Sequence, residues 1–156
     1  MRTDRASRLI QAPPARVYGA FVDAGALAKW LPPEGMRAEI EDFDPRPGGG
    51  YKMALIYDDP EDAPGKSAAD RDLVETRFVE LVPNRRIVQQ GVFESPDPAF
   101  AGTMTILWEF EPAGQGTRVN VTCRDVPQGI RKADHQVGLK SSLANLAAFT
   151  ERAGGS

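Results

Sequence analysis

The sequence has one cysteine and one histidine among 156 residues, and both scarcities exclude chemistry. With Cys123 alone, no intrachain disulfide can form, and a reducing, cytoplasmic location is the expectation. With His135 alone, histidine dyads and multi-histidine metal sites are ruled out. Zinc has too few nitrogen and sulfur ligands, so neither a metal nor a cofactor is expected. No stretch approaches the ~18 consecutive apolar residues of a membrane span. Met1-Arg2-Thr3-Asp4-Arg5 leads into no apolar leader core, so neither membrane insertion nor secretion is expected. An excess of positive charge is also missing. The 19 basic and 22 acidic residues sum to −3, which supplies no cationic face for a nucleic-acid backbone.

What is present describes a globular chain. Apolar residues make up 41% and charged residues 26%, too apolar for a disordered protein. The length fits one domain over residues 1–156. A chain of this size buries roughly 68–70% of its unfolded surface, enough for one core without staples.

Arg5 to Ile10 reads as a first strand. Pro13-Pro14 suits a helix start, where the first-turn N–H lacks a partner anyway. Val17, Tyr18, Phe21 and Val22 then recur at helical spacing. Asp23-Ala24-Gly25 is expected to break this helix, and a second short one carries Leu27, Trp30 and Leu31 up to Pro32-Pro33. Met36 to Phe43 reads as a strand, Asp44 to Gly50 as a glycine-rich turn, and Tyr51, Met53 and Leu55 as the inward side of the next strand. Asp58 to Asp70, with Pro60, Pro64 and Gly65 among acidic residues, is expected to be an exposed loop. Further strands follow at Asp72–Leu81, Arg86–Phe93, Thr103–Phe110 and Thr117–Arg124. In the last two, Met104, Ile106, Trp108 and Phe110 share one face, as do Val119, Val121 and Cys123. Short intervals and turn residues between them imply an antiparallel meander. From about Arg131 to Arg152 there is no proline, and His135, Leu139, Ser142, Leu143, Leu146 and Phe149 fall on one helical stripe. One sheet face and one helix stripe need mutual burial, which makes an α+β fold with the C-terminal helix stacked on the sheet.

Three stretches carry a resemblance. They are Ala12-Pro13-Pro14-Ala15-Arg16-Val17-Tyr18-Gly19-Ala20-Phe21 with Leu27-Ala28-Lys29-Trp30-Leu31; Arg46-Pro47-Gly48-Gly49-Gly50-Tyr51 with Phe78-Val79-Glu80-Leu81-Val82-Pro83; and His135-Gln136-Val137-Gly138-Leu139-Lys140-Ser141-Ser142-Leu143. In this order they resemble the SRPBCC superfamily, the START-like or birch-allergen-like fold. Within it they look like the branch named after the activator of the ninety-kilodalton heat-shock chaperone's ATPase. The resemblance covers nearly the whole chain. It implies a helix-grip fold, a curved antiparallel sheet around a long C-terminal helix, with a cavity between them. It does not name a function, because the superfamily hosts carriers, receptors, cyclases and co-chaperones. One departure stands out: the position after Gly138 is often tryptophan in relatives and is Leu139 here.

Local motifs for catalysis fail on inspection. Gly65-Lys66-Ser67 would need a glycine where Pro60 stands to be a phosphate loop. Gly48-Gly49-Gly50 lacks the dinucleotide fingerprint. The acidic run Asp58-Asp59-Pro60-Glu61-Asp62 lacks the spacing of a calcium loop. There is no G-x-S-x-G elbow, and Ser142 lies about two helical turns from His135, beyond a direct bond. Cys123, alone on an apolar strand face, reads as core. His135 reads as a helix residue satisfied by a carbonyl or hydroxyl, with a pocket acid or base as the alternative.

The set that suggests a binding site is Trp30, Tyr51, Met53, Met104, Ile106, Trp108 and Leu139, with Gln89, His135 and Ser142 as polar members. Small-ligand pockets combine such an apolar lining with a few anchors. The leading expectation is a non-enzymatic binder of a small, mostly apolar molecule. A cyclase- or hydrolase-type enzyme using His135, and a co-chaperone-like interaction module with a chaperone partner, are the alternatives. A homodimer is compatible with the sequence, although no feature predicts one.

Overall fold

A computed structural model describes residues 2–32, 35–57, 71–93 and 98–154. The loop expected at Asp58–Asp70 lies outside the described residues. The chain runs through β1 (Thr3–Ile10), α1 (Pro14–Gly19), α2 (Ala24–Trp30), β2 (Met36–Glu41), β3 (Gly50–Tyr57), β4 (Arg71–Val82) and β5 (Arg86–Phe93). After a 3-10 turn at Pro98–Phe100 come β6 (Met104–Ala113), β7 (Gly116–Arg124) and α3 (Lys132–Gly154). The strands form one antiparallel sheet in the order β1-β7-β6-β5-β4-β3-β2. From β2 onward each strand pairs with the next, so the meander is as expected. The first strand closes against the last one. The sheet curls around α3, and the fold is α+β.

Turn chemistry sets the registers. Ala113 faces Gly116 across a two-residue turn, and Gly114 takes the positive φ of 63° that primed hairpin turns require. The strand therefore runs through Pro112 to Ala113, beyond the end at Phe110 expected from the sequence. Phe110 N–H donates to Arg85 O on the β5 side. Backbone amides alternate in direction along a strand, so the missing N–H of Pro112 points past the end of β5 and costs no ladder bond. At the head of β3, a Cβ on Gly50 would stand 2.1 Å from Thr76 O, so only glycine allows β4 to pair this closely.

Helix ends differ from expectation in two places. Asp23 is the N-cap of α2: its Oδ1 accepts from the N–H groups of Gly25 and Ala26 at 2.9 and 3.2 Å. The stretch read as a breaker thus starts a helix, because a carboxylate satisfying orphan donors outweighs one glycine. α1 stops at Gly19, and Phe21 and Val22 follow it in a tight turn in which Phe21 N–H donates to Tyr18 O.

Between sheet and helices lies an aromatic cluster. The Phe21 ring is 4.7 Å from Trp30, 4.8 Å from Trp108 and 5.3 Å from Phe110, all edge-on. On α3 the stripe faces inward as expected, with Leu139, Ser142, Leu143 and Leu146 buried. A bulge between Phe78 and Glu80 leaves Val79 without a partner on β5. It turns Val79 outward, 46% exposed, while keeping Phe78 fully buried.

Candidate functional site: a hollow between sheet and helix

The core is not filled. Between the concave side of the sheet and the first half of α3 is a hollow of about 280 Å3. All ten residues named from the sequence line it: Trp30, Tyr51, Met53, Gln89, Met104, Ile106, Trp108, His135, Leu139 and Ser142. Strand alternation brings Tyr51, Met53, Gln89, Met104, Ile106 and Trp108 inward, and helical spacing adds His135, Leu139 and Ser142. Phe21, Leu27, Val74, Phe93 and Ile130 extend the apolar wall, and Cys123 joins it. Burial pushes the Cys123 thiol up to about 12, with the Asp4 carboxylate adding to the effect. It is therefore an inert core thiol.

Several polar atoms on this wall are already used within the protein. Trp30 Nε1–H donates to Ala20 O at 2.9 Å. Ser142 Oγ–H donates to Leu31 O at 2.9 Å; further along α3, beyond the lining, Asn145 Nδ2 donates to Pro32 O at 2.9 Å, and together they tie α3 to the end of α2. Ser142 is thus a lining residue whose hydroxyl holds the helix in place.

Two hydrogen-bonded clusters bear on the hollow. On the sheet, Trp108 Nε1–H donates to Gln89 Oε1 at 3.0 Å. The Tyr51 hydroxyl bonds with Thr76 and Gln89, and burial pushes its pKa up to about 12, so it stays a neutral phenol. On α3, His135 Nδ1 lies 2.6 Å from Asp4 Oδ2. Asp4 is on β1 with its side chain fully buried; Arg2 Nη2 donates to the same oxygen at 3.1 Å, and Lys132 Nζ stands 3.5 Å from Oδ1. Burial pushes the Asp4 carboxyl up, but hydrogen bonds from His135 and Arg2, together with their charges, outweigh it. The net result is a carboxyl below its ordinary value.

Thr76 and Asp134 also line the hollow, and Asp4 stands behind His135; none of the three is among the residues named from the sequence. Thr76 shares the inward parity of Phe78 on β4. Asp4 shares that of Ala6 and Ile10 on β1, a signal lost when the strand is begun at Arg5. Among the described residues no cluster of three or more histidine, cysteine or carboxylate side chains could hold a metal. No helix among them is long and apolar enough to cross a membrane.

A curled seven-stranded antiparallel sheet gripping a long C-terminal helix defines the helix-grip class of the SRPBCC superfamily. Residues 11–151 match the family described as Activator of Hsp90 ATPase homolog 1-like protein, and the chain belongs to that family. Among solved structures it is similar to protein CV1439 from Chromobacterium violaceum, at 34% identity over 96% of each chain with a TM-score of 0.84. Mll3558 from Rhizobium loti is 27% identical over 95% of this chain and 96% of that one, with a TM-score of 0.68. Protein MLL2253 from Mesorhizobium loti shares the fold at 19% identity, covering 97% and 98%, with a TM-score of 0.74. No curated protein matches the chain.

Proposed function

We propose that this chain binds a small, mostly apolar molecule in the hollow between its sheet and α3, and that it does so without catalysis. The observation that carries this reading is an apolar-walled hollow of about 280 Å3 between the sheet and α3. Interiors leave few voids larger than a water molecule, and an empty space of this size removes dispersion contacts from every side chain around it. Small-molecule sites run from about 300 Å3 upward, so the occupant is at the compact end of that range. Trp30, Met53, Met104, Ile106, Trp108 and Leu139 supply its apolar contacts; Gln89, Tyr51 and His135 supply the anchors.

The test is the mass of the purified protein under native conditions against its denatured mass. A retained ligand gives an excess mass that vanishes on denaturation. If no excess mass appears and no apolar probe binds, the reading fails.

A second reading is favoured by one contact. The bond between His135 and Asp4 orients an imidazole at the edge of the hollow, as in sites that use histidine as a general acid–base. Under this reading the chain is a cyclase- or hydrolase-type enzyme. Turnover abolished by His135→Ala, with ligand affinity retained, supports it; turnover that survives removes it.

A further inference from the structure

The contact between Asp4 and His135 also constrains what the hollow accepts, provided that it binds a ligand as proposed above. An ionised carboxylate only accepts hydrogen bonds. Asp4 Oδ2 faces His135 Nδ1 at 2.6 Å, so Nδ1 carries the ring's proton. In a neutral imidazole the other nitrogen is then an acceptor. That nitrogen, Nε2, has no hydrogen-bond partner among the described residues. His135 lines the hollow, whereas Asp4 and Arg2 do not. With Nδ1 committed to β1, Nε2 is the ring nitrogen left to serve the hollow that His135 lines.

The charges nearby point the same way. The Asp4 carboxylate already has Arg2 and Lys132 within ion-pair distance, so its charge is matched on the β1 side of the ring. Asp134, next along α3, also lines the hollow and is exposed at its rim, where its carboxylate disfavours an anionic guest. We infer that the hollow is selective for an uncharged apolar molecule bearing a hydroxyl group, which donates its hydrogen to His135 Nε2. Asp4 acts as a positioning residue by fixing the tautomer and the ring plane.

Three naphthalene probes separate the alternatives by calorimetric titration at about pH 8, where an imidazole is neutral. These are 2-naphthol, which has a donor; 2-methoxynaphthalene, which has only an acceptor; and 2-naphthoate, which is an anion. The expected result is that naphthol binds at least about tenfold more tightly than either of the others. In His135→Phe the naphthol and methoxynaphthalene affinities come within about twofold, because only the hydrogen bond is removed. Equal binding of naphthol and methoxynaphthalene by the wild-type protein overturns the inference while leaving the apolar-binding reading intact. Tightest binding of naphthoate overturns it as well, and marks the ring as an anion site. Failure of all three probes to bind removes both the inference and the pocket reading. The wild-type ranking decides the matter even if the variant does not fold.

Discussion

Trp108 and Gln89 meet across β6 and β5, the indole N–H donating to the amide oxygen at 3.0 Å, both side chains buried. Gln89 also bonds the hydroxyl of Tyr51, so one amide satisfies polar atoms from two other strands. Replacing it by leucine leaves the Trp108 N–H buried and unpaired, which costs about 1–3 kcal/mol. Gln89→Leu should therefore lower the urea midpoint with little change in slope. A midpoint equal to that of the wild type would mean that water replaces the amide.

Asp4→Asn tests the cluster through pH. The folded carboxyl is held below its ordinary value of 3.8. Its stabilisation is thus fully present above that value and is lost as pH falls through the lower folded value. The stability gap between wild type and Asp4→Asn should be steady above about pH 4 and should close below it. Thermal melts across about pH 5 to pH 2.5 measure it. A gap that widens on acidification would contradict the assignment.

Leu139→Trp fills the hollow from α3. The side chain lines open space, so the overpacking cost of about 1–3 kcal/mol seen in filled cores does not apply. The variant should melt within a few degrees of the wild type yet carry no retained mass. Retention of the same ligand would place the binding site elsewhere.

Cys123 should resist thiol reagents in the folded protein, since burial holds its pKa near 12 and keeps the thiolate scarce. Its modification by a disulfide reagent should follow global unfolding, rising with urea along the unfolding curve. Fast reaction in the native state would mean that the hollow opens to admit the reagent.

The meander, the α3 stripe and the lining were legible because all three are written in apolar periodicity. Met104, Ile106 and Trp108 alternate in sequence and line the same wall. Helix ends were less so. Asp23 followed by Gly25 is ambiguous between a break and a cap, and only the carboxylate's reach to the Gly25 and Ala26 amides decides it. The bond between Asp4 and His135 was not legible at all. Its partners are 131 positions apart, on elements whose pairing follows from sheet closure. A buried acid leaves no mark in a hydrophobic pattern, and Asp4 sat just outside the strand as read.

The pairing of β1 with β7, in which Thr3 faces Arg124, has a consequence for how the protein comes into being. On the ribosome β1 emerges first and must wait, its ladder unmade, until β7 has been synthesised. α3, which packs on β1, follows later still. The hairpins from β2 to β7 can form as they appear, but the hollow has no far wall until α3, which follows them, packs back against the sheet and β1. Closing so long a loop costs entropy before any contact repays it. The hollow is consequently expected among the last features to form, coupled to completion of the whole fold.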